Sequence, residues 1–474
     1  MDAIDILIRL AWLAGAAAFV IGLMRMNSPA TARNGNLLSA GGMALAVAAT
    51  GVLLVKGDAH LDPAGVIGWL IVAAGIAVGG GLGWYTARTV AMTAMPQLVS
   101  LFNAVGGGAA ALIAIDEFVR LATSAEVAPL STTIFVVLDI IIGSVTFSGS
   151  LVASGKLMGL SITPSRPVRI PGGQLVTIGL AAIALAASLF LFAGNESVPV
   201  MLVIVAVALI FGITMTLPIG GADMPVVISL LNSFTGTAVA MAGFVINNVV
   251  LIIAGALVGA SGAILTKLMA DAMNRSVVNI MIGGFGGGEG TVTEAGAGGT
   301  VRELGVDDAA IQLAYASSVI VVPGYGLAVA QAQHAVRELA DVLEDRGVDV
   351  KYAIHPVAGR MPGDMNVLLA EANVPYPQLR EMDDINPEFE RADVALVVGA
   401  NDVTNPAARR SGTPVSGMPI LDVDRAKAII VIKRSMGRGY AGIDNELYAN
   451  PKTGMLFADA KEGLSNLVAA VKAL

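Results

Sequence analysis

Cysteine is absent from the 474 residues, which excludes disulfides, thiolate metal sites and cysteine nucleophiles. Histidine is scarce: His60, His334 and His355 are the only three, too few for a zinc site without carboxylate help, so no metal centre is expected. Charge is scarce as well, at 14% of residues against 55% hydrophobic, with a mean hydropathy of +0.76. That balance excludes a wholly soluble globular protein. The N-terminus carries Asp2 and Asp5 ahead of its apolar run, with no basic segment, so a cleaved signal or transit peptide is not expected.

What charge there is lies unevenly. Positions 1–270 hold 20 charged side chains, ten of each sign, so the formal charge of −8 belongs to the remainder. Two solvents are implied, lipid for the first part and water for the second. An acidic soluble part is a poor partner for nucleic acid.

A hydrocarbon core needs a helix of about 20 apolar residues to cross it. Nine stretches meet or approach that length, near Ile4–Met24, Leu37–Val55, Ala64–Tyr85, Ala91–Ile115, Ser131–Ser154, Gly173–Ala193, Val198–Met215, Met224–Ile246 and Val249–Met269. Their connections are short, which predicts antiparallel neighbours. One side of the spans collects Arg25, Arg33, Arg88, Lys156, Arg166, Arg169, Lys267 and Arg275, the other only Arg9, Lys56 and Arg120. The basic side is expected in the cytoplasm, with the N-terminus outside and everything after 271 inside.

Polar residues within spans are candidate functional groups, because an unpaired charge in hydrocarbon costs several kcal/mol. Asp139 sits in VVLDIIIG and Asp223 in LPIGGADMP. Asn103 and Asn232 occupy similar settings, each after a Met-Pro pair (Met95-Pro96, Met224-Pro225) and each followed within four residues by Gly. Two broken-helix openings of this kind suggest a polar path through the bundle. Helix-to-helix hydrogen bonding by the Asn side chains and structural pairing of the Asp side chains are the competing readings. The run Gly106 to Ala111 reads as close helix packing.

Residues 283–299 hold nine glycines in seventeen, a flexible tether. Beyond 301 strands and helices alternate. Strands are expected at Val319–Val322, Val350–Ile354, Val394–Val398 and Ala428–Ile432. Helices are expected after the first strand for about twenty residues to Arg346, around Asn366–Ala372, and over Lys461–Ala473. This alternation predicts a doubly wound parallel sheet with its ligand at the strands' C-terminal ends. The expected fold is a polytopic α-helical membrane bundle of about nine spans followed by an α/β Rossmann-like domain.

The first turn, Gly324-Tyr325-Gly326-Leu327-Ala328-Val329, is a GxGxx fingerprint with Val329 in place of the third glycine and Ala330 next. Its glycines would let backbone approach a pyrophosphate at a helix N-terminus. The second strand ends in His355-Pro356 with Arg360 nearby, and another ends in Lys433-Arg434-Ser435. Cations in these places point to the 2′-phosphate of NADP rather than to NAD, unless Lys433 and Arg434 are a solvated pair and His355 is structural. Asp402, in Gly399-Ala400-Asn401-Asp402, is placed to touch a ligand or to form an Asx-type cap before Pro406. Gly437, Gly439 and Gly442 around Tyr440 suggest a mobile lid.

These motifs, with GADMPVVISLLNS, MNRSVVNIMIGGFG, VPGYGLAVAQAQ, HPVAGRMPGDMNVLLAE, GANDVTNPAA and KRSM through GYAG, resemble the β subunit of proton-translocating NAD(P) transhydrogenase along nearly the whole chain. The resemblance implies a transmembrane proton-translocating domain (1–270), a Gly-rich cytoplasmic linker (271–302) and an NADP(H)-binding domain (303–474) in a bacterial inner membrane. It implies NAD(H) on a partner α subunit or subunits with further transmembrane helices, and a homodimer of heteromeric protomers. By resemblance, the turn at Gly324–Gly326 and the segment from His355 through Val357, Ala358, Gly359 and Arg360 lie near the central part of the nucleotide. Lys433 and Arg434 take the 2′-phosphate, and Gly439, Tyr440, Ala441 and Gly442 form the lid. Asp402 matches the catalytic-cycle acid that couples nucleotide state to proton movement, and Asp223 and Asn232 match the proton path. Asn103 stands where many members have a proton-carrying His. An ion channel or secondary transporter with a cytosolic nucleotide-sensing domain would share the same layout.

Overall fold

The computed structural model describes residues 3–26, 28–57, 63–123, 129–163, 168, 172–220, 223–273, 276–278, 280, 301–359, 363–413, 415–439 and 441–474. The glycine-rich tether at 283–299 lies outside the described residues, as do Arg360 and Tyr440. By contacts the chain divides into two units, Met1–Pro218 with Val227–Ile264, and Ile219–Val226 with Leu265–Leu474.

Nine helices among the described residues are long and apolar enough to cross a membrane, which makes this a multi-pass membrane protein. They are α1 (Ala3–Arg25), α2 (Pro29–Gly57), α3 (Pro63–Thr89), α4 (Met95–Thr123), α5 (Leu130–Met158), α6 (Gly173–Phe192), α7 (Val198–Thr216), α8 (Met224–Val245) and α9 (Val249–Ala272). Each overlies an expected span. The fourth starts later than its apolar run because Pro96, which lacks an N–H, is suited to a helix's first turn. Pro225 opens α8 in the same way. The two Met-Pro pairs therefore each open a helix, α4 and α8, at the places where the sequence suggested a break.

Small residues let the helices touch. A Cβ placed on Gly107 of α4 would come within 3.0 Å of Thr146 on α5, and one on Gly143 of α5 would meet the Gly107 carbonyl at 2.6 Å. Gly236 on α8 and Gly255 on α9 interlock similarly. With lipid on the outside, such close van der Waals contact replaces the hydrophobic driving force of a soluble core.

In the second unit, α10 (Val306–Ala314) precedes β1 (Ser318–Pro323), α11 (Tyr325–Val329), α12 (Gln333–Glu344), β2 (Asp349–Ile354), α13 (Asp364–Glu371), β3 (Leu379–Glu381), α14 (Met382–Ile385), β4 (Val394–Val398), β5 (Ala428–Lys433), β6 (Thr453–Phe457) and α15 (Ala460–Ala473). All six strands are parallel in the order β3-β2-β1-β4-β5-β6. Every residue of β4 is buried, as a sheet covered on both faces requires. The order reverses between β1 and β4, which opens a crevice beyond their C-terminal ends.

The long helix expected after β1 is two helices. Gln331 takes φ 51°, while Ala332 N–H donates to Leu327 O and Gln331 N–H to Ala328 O, both at 3.1 Å. This double bond pattern is a left-handed C-cap that closes α11 after five residues. Helix α12 then buries Val336, Leu339, Ala340 and Leu343 along one stripe.

Candidate functional site

The turns after β1 and β4 are locked together at the crevice. Gly324 N–H donates to Val398 O at 2.9 Å and Gly326 N–H to Gly399 O at 3.0 Å. Gly399 has φ +71°, and a Cβ on it would strike the backbone of Gly326 and Leu327 closer than 3.0 Å. The fingerprint glycines thus serve loop-to-loop packing, and their own amides are already bonded within the protein. Tyr325 and Val329 bound the single turn of α11, Val329 exposed and Ala330 half-buried.

At the end of β2, His355 is 2% exposed. Its Nδ1 accepts from Val357 N–H at 3.2 Å, so Nε2 carries the proton and donates to Pro419 O at 2.8 Å. Burial pushes this imidazole down to about 4, against the opposing pull of the Pro419 carbonyl. His355 is therefore a neutral clasp on the Val357–Ala358–Gly359 turn. Gly359 has φ +102°, and a Cβ there would run into the Asp364 side chain at 2.6 Å.

Beyond β4, buried Ala400 leads to Asn401 and a 3-10 turn, Asp402–Thr404. Asp402 Oδ2 accepts from Ala441 N–H at 2.9 Å, and a Cβ on Gly439 would overlap the same carboxylate. The Asx-type cap expected here belongs to Asn405, whose Oδ1 accepts from Ala407 N–H at 3.1 Å. Asp402 instead holds the glycine-rich segment.

Strand β5 ends in Lys433. Its ammonium donates to Gly437 O and stands 4.8 Å from the centre of the Tyr448 ring. Burial pushes its pKa down, opposed by the charges of Asp402 and Asp444. Arg434 and Ser435 are exposed, and Ser435 Oγ accepts from Gly437 N–H at 3.4 Å. Gly442 has φ +72°.

Sequence reasoning missed the layer beneath these loops. Asn445 Nδ2 donates to Asn401 O at 2.9 Å and approaches Thr404 Oγ1 at 3.2 Å, and the Tyr448 hydroxyl donates to Asn401 Oδ1 at 3.0 Å. Neither residue lies in a recognisable motif.

In the helical unit, Asn103 Nδ2 donates to Ile228 O at 3.3 Å, and Thr235 Oγ1 donates to Asn103 O at 3.2 Å. Asn103 thus joins α4 to α8. Asp139 is fully buried on α5, with neither carboxylate oxygen meeting a hydrogen-bond donor among the described residues. Asn232, on α8, is half-buried, as is Asp223, which immediately precedes α8 and belongs to the second unit. No cluster of three or more His, Asp or Glu able to hold a metal occurs among the described residues.

The sequence profile of the NAD(P) transhydrogenase beta subunit matches residues 8–470. Two proteins from Rhodospirillum rubrum named NAD(P) transhydrogenase subunit beta are each 46% identical over 468 residues, covering 97% of this chain and 98% of the relative. Nine membrane-capable helices among the described residues, a six-stranded parallel sheet in the dinucleotide-binding order and a profile match over nearly the whole chain agree, and the chain belongs to the NAD(P) transhydrogenase beta subunit family.

Proposed function

We propose that this chain is the membrane subunit that binds NADP(H) and couples its reversible hydride exchange with NAD(H), held on a partner α subunit, to proton translocation. The observation that carries the reading is the meeting, at the C-terminal end of β5, of Lys433 and Arg434 with a glycine-rich segment fastened to Asp402 beside the β1–β4 crevice. Two cations suit a 2′-phosphate, the guanidinium by a bidentate fork and the ammonium as a point charge.

The nicotinamide itself supplies the hydride chemistry, and no side-chain acid or base is required for it. This chain contributes position and gating. The Gly324–Gly399 interlock shapes the crevice, His355 fixes the turn beside it, and the segment 437–442 acts as a lid whose closure Asp402 governs. Coupling then requires that NADP⁺ and NADPH favour different states of the domain. In the bundle, Asp223 and Asn232 line the proton path, with Asp139 and Asn103 as further polar positions along it. The expected setting is a bacterial inner membrane, N-terminus outside and the nucleotide domain in the cytoplasm. The expected assembly is a homodimer of protomers that each include the α partner and its additional helices.

Calorimetric titration of the purified full chain with NADPH, NADP⁺, NADH and NAD⁺ tests the nucleotide assignment. Preference for the phosphorylated pair, lost in Lys433→Ala with Arg434→Ala, supports it. Preference for NADH would favour a transporter with a nucleotide sensor, and absence of binding would remove the dinucleotide assignment. Single substitutions Asp223→Ala and Asn232→Ala, in the complex reconstituted into vesicles, are expected to abolish proton pumping. Intact pumping would overturn the membrane path.

A further inference from the structure

Lys433 lies at a strand end where burial disfavours its charge, yet it can help grip a 2′-phosphate only with its ammonium charged and held in place. Three features surround that ammonium: the Gly437 carbonyl, which belongs to the glycine-rich segment, the charges of Asp402 and Asp444, and the face of the Tyr448 ring at 4.8 Å. The carbonyl belongs to an exposed residue and the carboxylates act through their charge. The ring is different. Tyr448 is 2% exposed, and its hydroxyl reaches both Asn401 Oδ1 at 3.0 Å and Ala400 O at 3.3 Å. Asn445 adds a second tie to the same loop through Asn401 O. The ring plane is thereby fixed relative to the end of β4, and its negative face is presented to the cation.

We infer that Tyr448 is the positioning residue for the 2′-phosphate grip, seating the Lys433 ammonium on its ring and tying that seat to the Asn401 loop through its hydroxyl. The inference rests on the proposed NADP(H) site. Being buried, Tyr448 cannot itself touch a nucleotide, so it influences the choice between NADPH and NADH only through Lys433. A merely structural tyrosine would instead affect both nucleotides alike. Ring and hydroxyl have separable effects: the ring sets selectivity, and the hydroxyl sets the alignment of the loop that carries Asp402.

The test measures NADPH and NADH dissociation constants for the purified full chain carrying Tyr448→Leu, Tyr448→Phe, Lys433→Ala, or Lys433→Ala with Tyr448→Leu. Tyr448→Leu is expected to lower the NADPH-over-NADH ratio by roughly three- to thirty-fold, the range of a partly desolvated cation–ring contact. Tyr448→Phe keeps the ring and is expected to hold that ratio within about twofold. In the Lys433→Ala background, Tyr448→Leu is expected to lower the ratio no further. If Tyr448→Leu does not fold, trifluorophenylalanine at 448 keeps the ring's shape while weakening its negative face, and the same loss is expected.

Equal weakening of NADPH and NADH by Tyr448→Leu, or an undiminished further loss in the Lys433→Ala background, would overturn the inference and leave the NADP(H) site standing. A wild-type chain without preference for NADPH would overturn both together.

Discussion

The Asp402 carboxylate accepts the Ala441 amide proton at 2.9 Å, across 39 residues of sequence. One acid on the loop after β4 thereby fastens the glycine-rich segment that follows β5. Around it, Arg438 Nε pairs with Asp444 Oδ1 at 3.0 Å, so the two ends of the segment are also drawn together. A hydrogen bond to a charged group contributes about 1.5–3 kcal/mol. Asp402→Ala is therefore expected to speed NADPH release roughly ten- to hundred-fold, with Asp402→Asn, which keeps an acceptor but loses the charge, in between. Stopped-flow displacement of NADPH from the full chain measures this. An unchanged release rate would mean that this bond does not govern the lid.

The spans and the four central strands were legible in the sequence because burial writes them directly, as continuous apolar runs in Val198–Thr216 or in Val394–Val398. The edge strands were not. β3 has only three residues, Leu379–Glu381, none of them buried, and β6 opens with Thr453-Gly454, which leaves an apolar run of just three residues, Met455–Phe457. The break after α11 was hidden because Ala330–Gln331–Ala332 has the composition of a helix, and the left-handed turn falls on a glutamine rather than a glycine. Of the site, the strand-end residues were readable because α/β topology assigns ligands there. Asn445 and Tyr448 were not, since their role arises from contacts more than forty positions away.

His355 makes stability depend on pH with a definite sign. Its folded-state value of about 4 lies below the ordinary 6.5, so as pH falls the unfolded chain takes up the proton first. The contribution is complete above pH 6.5 and is lost as pH drops toward 4. The difference corresponds to about 3 kcal/mol. Thermal unfolding of the full chain across this range is expected to show a decline that His355→Gln flattens. Parallel pH profiles for the two proteins would mean that the imidazole titrates freely in the folded state.

The interlocked turns give the sharpest contrast between backbone conformation and packing. Gly347 and Gly399 both have positive φ, +89° and +71°, but a Cβ on Gly347 meets nothing within 4 Å while one on Gly399 meets the backbone of Gly326 and Leu327. Gly347→Ala is expected to cost only the conformational penalty, about 1–2 kcal/mol. Gly399→Ala bears that penalty and must also push the first turn away, adding about 1–3 kcal/mol. Because the displaced atoms belong to the turn that shapes the crevice, Gly399→Ala is further expected to weaken NADPH binding, whereas Gly347→Ala is not. Thermal unfolding and NADPH titration of both variants separate the two effects. Equal losses of stability with equal retention of binding would show that the turns yield without consequence, and that the crevice does not depend on their lock.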